Sequence, residues 1–567
     1  MPQNRTRNFG FLYFGATRGP MHPSSIQAVE IVFLLLLLFV VVFGALAKRL
    51  KTPYPIILVL GGLILSFIPG IPRITLNPDV IFFVILPPLL YSAAWLTSWR
   101  EFSYNLVSIF LLAFGLVTFT VVGVMEAGQW FLPGFDWRIL LVLGAVVAPT
   151  DAIAAASIAK RVGLPKRIVD ILEGESLLND ASALLALEFG IGLLAGGHVP
   201  TLGSGALRLC YLVGVGIVIG LAIAEVVHQI EHHVDDGPIE ITVSILTPYV
   251  AYLAADFAHA SGVLAVVACG LYLSRHSSHF FSASVRLQAW AVWDSLTFVL
   301  NGLVFVLIGL QLPYVMVTIR NHHLGTWIVY GLVFSGLLIL LRLIWIFPGA
   351  YVANLIRRRI LHQPEPLPPF RNMFIVGWTG MRGVISLAAA IALPQTLADG
   401  TGFVQRDMII FLAFVVILVT LVLQGLTLPP LIRALGVAGT SDHHSEEKEV
   451  RRTILQAAVS HLERSKRDGD SESAEVHADL AQHYQHRLAI LGDGDESEID
   501  AASLNFYSRF VDLSRELLGV ERQTAVRLRD ERRMGDELLR QIEHEIDLEE
   551  TRLAAKAKAK PRRNHNS

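Results

Sequence analysis

Long apolar runs follow one another along most of the chain, up to about Leu435, with short polar interruptions between them. Because a helix needs about 20 mainly apolar residues to cross a bilayer, this pattern predicts about thirteen transmembrane helices. From Gly439 onward the pattern changes, since charged residues recur throughout. The predicted spans are 29–47, 54–69, 78–97, 104–126, 138–159, 168–195, 204–228, 240–258, 261–275, 288–311, 325–355, 372–395 and 407–433.

The change in pattern divides the chain into three predicted parts. These are an N-terminal extension, residues 1–28, a transmembrane domain, 29–435, and a helical cytoplasmic tail, 436–567. Met1 and Met21 are both candidates for the true start. A regulatory or dimer-supporting role of the tail and a plain solubilising role are both open. The tail is amphipathic, with predicted helices at 447–466, 473–492, 499–519 and 522–555.

Composition supports the membrane interpretation. Hydrophobic residues make up 53% of the chain and charged residues 17%, whereas soluble domains carry about 25% charged residues. The net charge of −2 averages two unlike regions and gives no sign of nucleic-acid binding. The two cysteines form no disulfide framework or zinc motif, and the glycine-rich stretches lack a nucleotide-binding pattern. We expect no cofactor and no enzymatic activity.

The loops between the predicted spans differ in their basic residues. Loops after odd-numbered spans contain most of the lysines and arginines, and loops after even-numbered spans contain few. The chain is predicted to lie in the cell (inner) membrane. Because cytoplasmic loops are enriched in these residues, the tail is predicted to be on the cytoplasmic side and the N-terminus on the outer side. The basic residues of the odd loops are Lys48, Arg49, Lys51, Arg100, Lys160, Arg161, Lys166, Arg167, Arg275, Arg286, Arg357, Arg358, Arg359 and Arg371.

Two carboxylates fall deep inside neighbouring predicted spans. Asp151 and Asp180 each lie about 19 Å from the start of their helices, near mid-bilayer, and charges at this depth indicate a functional site. Ser176 precedes Asp180 by one turn, and Glu175 precedes Asn179 by one turn. Hydroxyl, amide and carboxylate oxygens can therefore converge on a small volume, which suits a hard cation.

Two predicted spans contain residues that disturb a helix. Pro149 in the fifth span removes a backbone donor just before Thr150 and Asp151, and Arg382 in the twelfth lies among Gly377, Gly380 and Gly383. Broken helices at the midplane are typical of secondary transporters. The two spans are seven helices apart, which favours two inverted six-helix repeats whose broken helices cross at the midplane.

Several segments resemble the signature stretches of the sodium/proton exchangers of the monovalent cation/proton antiporter-1 family: PTDAIA, GESLLNDAS, GWTGMRGVISLAAA, ILPPLLYSAAW and VAYLAADFAHASGVLAVVACGLYLSR. The resemblance implies that Asp180 binds the transported Na⁺ and that Asn179 is the amide preceding it. It implies that Asp151 and Thr150 lie on an unwound stretch, with the Thr150 carbonyl as a ligand, and that Ser176 supplies a coordinating hydroxyl.

The resemblance also implies a buried ion pair between Glu175 and Arg382, and a homodimer whose core moves like an elevator. For Arg342, inside the eleventh span, two interpretations are open: it neutralises a core carboxylate, or its side chain extends to the cytoplasmic surface. Two positions depart from the family pattern. Ala152 stands where relatives often have proline, and Ser92 stands where many have an acidic residue.

The expected function is therefore antiport of Na⁺ (or Li⁺) for H⁺ by alternating access, with the cation and the proton competing for Asp180 and Asp151. Electroneutral exchange is implied by the resemblance, because electrogenic relatives have a second aspartate where this chain has Asn179. A K⁺/H⁺ antiporter is one alternative. A membrane sensor that signals through its cytoplasmic tail is another, from a different class of protein. The expected partners are monovalent cations, protons, the lipid bilayer and a second copy of the chain.

Overall fold

The structure is a computed structural model that describes the chain with several gaps. It contains two compact units, Met1–Ala438 and Gly439–Ser567, which are treated separately below. The predicted extension, 1–28, and the predicted tail helix 473–492 lie largely outside the described residues. The described residues are 23–68, 76–132, 134–194, 202–234, 236–280, 283–318, 324–363, 366–397, 401–437, 442–468, a few between 480 and 488, 498–531 and 536–558.

The first unit is built from α-helices, and its described residues contain no β-strand. Residues 23–28, predicted as part of the extension, already belong to the first helix. The helices are α1 Pro23–Arg49, α2 Tyr54–Leu65, α3 Leu86–Leu96, α4 Trp99–Phe110, α5 Val117–Phe131, α6 Trp137–Val147, α7 Ala152–Val162, α8 Lys166–Leu194, α9 Leu202–Glu231, α10 Gly237–Phe257, α11 Gly262–Phe280, α12 Ala283–Leu310, α13 Leu312–Thr318, α14 Leu324–Arg359, α15 Phe370–Trp378, α16 Val384–Ile391, α17 Arg406–Val419 and α18 Gly425–Leu435. Wider π-helical turns occupy Val80–Ile85, Leu111–Leu116 and Thr420–Gln424.

Many of these helices have the length and composition of membrane spans. Within the described ranges, eight helical stretches are long and apolar enough to cross a membrane. They are Glu30–Arg49, Trp99–Phe131, Lys166–Leu194, Gly203–Glu231, Gly237–Phe257, Val285–Met316, Leu324–Arg359 and Arg406–Leu435. The prediction of an all-α, polytopic membrane protein is confirmed. The number of thirteen spans and the inverted repeat stay predictions.

Close helix packing in this unit depends on glycine at one crossing. A Cβ atom on Gly62 of α2 would collide with the carbonyl oxygen of Val306 on α12, and one on Gly309 would collide with the carbonyl oxygen of Val59. The two backbones therefore touch. Small residues at such contacts are the usual means by which helices associate in a bilayer, where apolar burial gives little driving force.

Two helical spans are interrupted, as the sequence predicts. Helix α6 ends at Val147 and α7 begins at Ala152, and α15 ends at Trp378 while α16 begins at Val384. Non-helical backbone at membrane depth is tolerated only where it is buried in protein or lines a polar cavity. These breaks form the centre of the candidate site.

The second unit contains long helices at Asp442–Asp468, Glu498–Asp530 and Asp536–Lys558. The predicted boundary between 499–519 and 522–555 is wrong, because the helix continues through Gly519 to Asp530. A glycine inside a helix costs about 1 kcal/mol. Burial of the adjacent Leu518 against Ile546 and Leu553 outweighs that cost.

Candidate ion-binding site

The two helix breaks meet each other in the structure. The backbone N–H of Asp151, in the first break, donates a 2.8 Å hydrogen bond to the carbonyl oxygen of Met381 in the second. Each break leaves backbone groups without helical partners, and this contact satisfies two of them. The unwound segments are thus joined directly, at the place where the sequence predicts a cation site.

Asp151 has a structural role at the start of α7. Its Oδ1 atom accepts a 2.8 Å hydrogen bond from the backbone N–H of Ile153, so it caps the helix and lies at the positive end of the helix dipole. On the other side it packs against Gly383, where an added Cβ would lie 2.6 Å from Asp151 Oδ2. Glycine at this position gives the carboxylate the room it occupies.

Arg382 lies at the meeting point and binds backbone rather than a carboxylate. Its Nε donates to the carbonyl oxygen of Val147 at 3.0 Å, and its Nη1 donates to the carbonyl oxygen of Gly380. Its backbone N–H donates to Thr420 Oγ1 at 3.2 Å. The guanidinium therefore neutralises carbonyls at the broken helix ends, which carry partial negative charge.

The predicted ion pair between Glu175 and Arg382 is wrong, because Glu175 pairs with Arg342 of α14. The two side chains form a bidentate contact, with Nη1–Oε1 at 2.5 Å and Nη2–Oε2 at 2.8 Å, and both are almost fully buried. Arg342 also donates to the carbonyl oxygen of Val376 near the end of α15. Of the two interpretations of Arg342, neutralisation of a core carboxylate is therefore correct. Gly380 provides the space, since a Cβ there would collide with Arg342 Cδ.

Thr150 and Asn179 extend this network toward the ion site. Thr150 Oγ1 donates to Glu175 Oε1 at 2.9 Å, and Asn179 Nδ2 donates to Thr150 Oγ1 at 2.7 Å and to the Thr150 carbonyl oxygen at 3.3 Å. A carbonyl oxygen can only accept, so these bonds fix the orientation of the amide. Asn179 Oδ1 is then left buried with no hydrogen-bond partner.

Asp180 lies in the same region, on α8. It is 3% exposed. Ser176 is half-buried one turn before Asp180. Asp180 follows Asn179 directly on α8, and Asn179 is hydrogen-bonded to Thr150, which precedes Asp151. The role of these four residues as ion ligands stays a prediction.

Ser92 and Ala152, the two positions that depart from the family pattern, have different surroundings in the structure. Ser92 is buried on α3, and its hydroxyl is 3.0 Å from the hydroxyl of Thr297 on α12, so it links two helices. Ala152 is the first residue of α7, which begins there without proline. The partner of Ser92 and the role of Thr420 were not foreseen from the sequence, because both depend on contacts between distant helices.

Comparison with known proteins identifies the family. Residues 34–434 match the family described as sodium/hydrogen exchanger, transmembrane. The chain belongs to this family. This confirms the resemblance noted in the sequence, and it places the protein among multi-pass membrane transporters rather than enzymes or signalling sensors.

Related exchangers cover most of the chain. A protein of Mycobacterium tuberculosis described as an uncharacterized Na⁺/H⁺ exchanger is 34% identical over 539 residues, covering 93% of this chain and 97% of that protein. The sodium, potassium, lithium and rubidium/H⁺ antiporter of Bacillus pumilus is 32% identical over 450 residues, covering 77% of this chain and 65% of that protein.

A solved exchanger structure has the same fold. The sodium proton antiporter MjNhaP1 from Methanocaldococcus jannaschii superimposes with a TM-score of 0.57 at 21% identity, covering 73% of this chain and 100% of that chain. Identity at this level shows the fold alone. The architecture of this exchanger is therefore that of a known sodium proton antiporter.

Proposed function

We propose that this exchanger moves Na⁺ (or Li⁺) across the membrane in exchange for H⁺, with both ions competing for Asp180 and Asp151. The observation that carries the proposal is the distribution of charge in the core. Arg342 is paired with Glu175, and Arg382 is bound to backbone carbonyls. None of the ion pairs among the described residues includes Asp151 or Asp180.

The two carboxylates therefore need a positive charge from outside the protein. Two carboxylates about 4 Å apart repel by about 4 kcal/mol at an effective dielectric constant of 20, and a buried charge without a partner is costly. Either a proton or a metal cation relieves this repulsion. Because the same oxygens accept either ion, their binding is mutually exclusive, and an empty, charged site does not cross the low-dielectric barrier. Exchange follows from these two conditions.

The ligands that we propose for Na⁺ are oxygens of Asp180, Asp151, Ser176 and Thr150, together with the amide oxygen of Asn179. Oxygen donors of this kind suit a hard monovalent cation. The Asn179 Oδ1 atom supports the assignment, because buried polar atoms normally have a hydrogen-bond partner and this one has none among the residues that the structure describes.

We propose that exchange is electroneutral, one cation for one proton. The Asn179 side chain is an amide and has no titratable proton to exchange, and Glu175 is paired with Arg342. In this proposal Asp180 and Asp151 share one proton or one cation at a time, so one charge is exchanged for one. A dependence of the turnover rate on membrane potential in potassium-free proteoliposomes would contradict this stoichiometry.

The protein reconstituted in liposomes, with a trapped pH-sensitive dye, tests the function directly. Addition of Na⁺ to vesicles that hold a proton gradient should dissipate the gradient, and Asp180→Asn and Asp151→Asn should abolish the response. Asp407→Asn, at an exposed carboxylate outside the site, is the matched control and should retain it. Exchange by the Asp180→Asn protein would refute the site.

A K⁺/H⁺ exchanger is the second candidate, and the name of the Bacillus pumilus relative, which includes potassium, favours testing it. Oxygen ligands alone do not fix the size of the ion. The same assay with Na⁺, Li⁺, K⁺ and Rb⁺ at equal ionic strength separates the two candidates. We expect Na⁺ and Li⁺ to give the lower half-saturating concentrations.

We also propose that the exchanger is a homodimer in the inner membrane, works by elevator-like alternating access, and has its tail in the cytoplasm and its N-terminus outside. The distribution of Lys and Arg between the loops supports this orientation. Labelling of single cysteines introduced in the loops, with a reagent that does not cross the membrane, tests the orientation. Cross-linking in the membrane tests the dimer.

A further inference from the structure

An aromatic side chain at the predicted cytoplasmic end of the first unit lies beside two arginines. The guanidinium carbon of Arg167, at the start of α8, is 5.5 Å from the centroid of the Tyr104 ring on α4. The guanidinium carbon of Arg357, in the last turn of α14, is 5.4 Å from the same centroid. Three helices that are far apart in the chain thus place two like charges beside one ring, although like charges repel.

The two arginines differ in how firmly the protein holds them. Arg357 is 5% exposed, and its Nη2 donates to the carbonyl oxygen of Tyr104 at 3.1 Å and to Ser108 Oγ at 3.3 Å, so its guanidinium is fixed against α4. Arg167 is exposed, as is the Tyr104 ring. A guanidinium presents five N–H donors in a planar fork that matches a phosphate group. The cluster is therefore fixed on one side and accessible on the other.

The residues around the cluster indicate its depth in the bilayer. Tyr351 and Leu355, one turn apart on α14, are exposed within the apolar stretch Leu324–Arg359, and exposed arginines follow at its end. Exposed apolar side chains within a span face the lipid tails, and arginines at the end of a span extend to the headgroups. Trp99, which begins α4, is exposed, as is typical of tryptophan at the membrane interface. The cluster therefore lies at the level of the lipid headgroups.

Positive charge is in excess at this end of the three helices. The first five residues of α4 and of α8 and the last five of α14 contain six basic residues and two acidic ones, so basic side chains remain even if each acid pairs with one of them. Basic residues in excess beside membrane helices attract anionic lipids. The basic residues are Arg100, Lys166, Arg167, Arg357, Arg358 and Arg359, and the acidic ones are Glu101 and Asp170.

We propose that Arg167, Arg357 and Tyr104 form a binding site for the phosphate group of an anionic lipid in the cytoplasmic leaflet. Arg167 donates to the phosphate oxygens, Arg357 adds a fixed positive charge beside them, and the Tyr104 ring holds the two guanidiniums near each other. The phosphate offsets the repulsion between the two like charges. A lipid is favoured over a free anion because the cluster lies at headgroup level, beside side chains that face the lipid tails.

Native mass spectrometry of the purified full-length exchanger, titrated with dioleoyl phosphatidylglycerol, tests the site. The readout is the dissociation constant of the first lipid bound. Arg167→Gln should raise it about fivefold, the contribution of one basic residue near an anionic lipid surface. Arg167→Lys keeps the charge but not the planar fork, so it should recover part of the affinity. The exposed Arg167 is used because removal of the buried Arg357 would also disturb the packing of α14 against α4.

Two other ligands and one variant serve as controls. Dioleoyl phosphatidylcholine, which has no net charge, should bind more weakly and should not distinguish Arg167→Gln from the unmodified protein. Inorganic phosphate should not displace phosphatidylglycerol at equal concentration. Arg138 is an exposed arginine whose guanidinium carbon is 5.5 Å from the ring centroid of Trp137 near the start of α6, so Arg138→Gln is the matched control and should leave the affinity unchanged.

A photoreactive side chain identifies what occupies the site in a membrane. Lys166→p-benzoylphenylalanine places the reactive group beside Arg167, and irradiation of vesicles that contain phosphatidylglycerol should give a protein–lipid adduct. A cross-link to an acidic segment of the tail instead would assign the site to the tail and overturn the inference. Equal affinity of Arg167→Gln and Arg138→Gln, or displacement of the lipid by inorganic phosphate, would overturn it as well. Binding is measured without transport, so the outcome does not depend on the proposed exchange function.

Discussion

Breaking the ion pair between Glu175 and Arg342 should destabilise the protein strongly. The two side chains are 2% and 1% exposed and make two short contacts, so removal of one partner leaves a buried charge without compensation. Such a loss costs about 3–5 kcal/mol, which corresponds to a fall in melting temperature of about 5–10 °C. Glu175→Gln is the mildest test, because glutamine keeps an acceptor for the Thr150 hydroxyl.

A double-mutant cycle identifies the partner of Glu175. The variants are Glu175→Gln, Arg342→Met and both together, with melting measured by fluorescence-detected size-exclusion chromatography after heating. The double variant contains no uncompensated charge, so it should lose clearly less than the sum of the single losses. The parallel cycle with Arg382→Met should be closer to additive, because Arg382 binds the carbonyls of Val147 and Gly380.

One outcome of the double-mutant cycle would contradict the pairing of Glu175 with Arg342. A larger coupling between Glu175 and Arg382 than between Glu175 and Arg342 would refute the assignment of the pair. Asp407→Asn removes the exposed partner of the Arg406–Asp407 pair and leaves Arg406 bound to the carbonyl oxygens of Leu393 and Ile391. It is the control and should change stability by about 0–1 kcal/mol.

Three further predictions follow from single contacts. Gly383→Ala places a Cβ atom 2.6 Å from Oδ2 of Asp151, a proposed ion ligand, so the half-saturating Na⁺ concentration should rise at least severalfold in the proteoliposome assay. Gly192→Ala, at a glycine with no neighbour within 4 Å, should not change it. Asn179→Asp replaces the donor to Thr150 and should destabilise the protein by about 1–3 kcal/mol when ionised. That loss should be small at low pH, where the protonated acid can donate, and should grow as pH rises, as measured by melting temperature. Ile546→Ala should destabilise the tail by about 2–4 kcal/mol, measured as faster limited proteolysis of the tail in the full-length protein.

Most of the fold could be predicted from local sequence. The apolar runs give the helices because a span is a local property of about 20 residues. The two breaks are local as well, since Pro149 cannot donate to a helix and the glycines around Arg382 weaken one. The end of the tail helix at Asp530 could not be predicted in this way, because burial of Leu518 against another helix overrides the nearby Gly519.

The buried charged residues around the candidate site could be predicted from the sequence, but the way in which they pair could not. Buried charge is visible in the sequence, so Glu175, Arg342 and Arg382 could each be recognised as unusual. Which arginine neutralises Glu175 depends on how α8 and α14 pack, and these residues are 167 positions apart in the chain. The carbonyl groups that bind Arg382 belong to the backbone, so no particular residue type in the sequence indicates their position.

The contact between Asp151 and Met381 has a consequence for how the protein is made. The first break leaves polar backbone in the membrane, and unsatisfied backbone groups there cost several kcal/mol each. Its partners, Met381 and the guanidinium of Arg382, are synthesised only after more than two hundred further residues. The proposed cation site is therefore completed late in synthesis, and a nascent chain that stops before α15 contains Asp180 but lacks the second helix break.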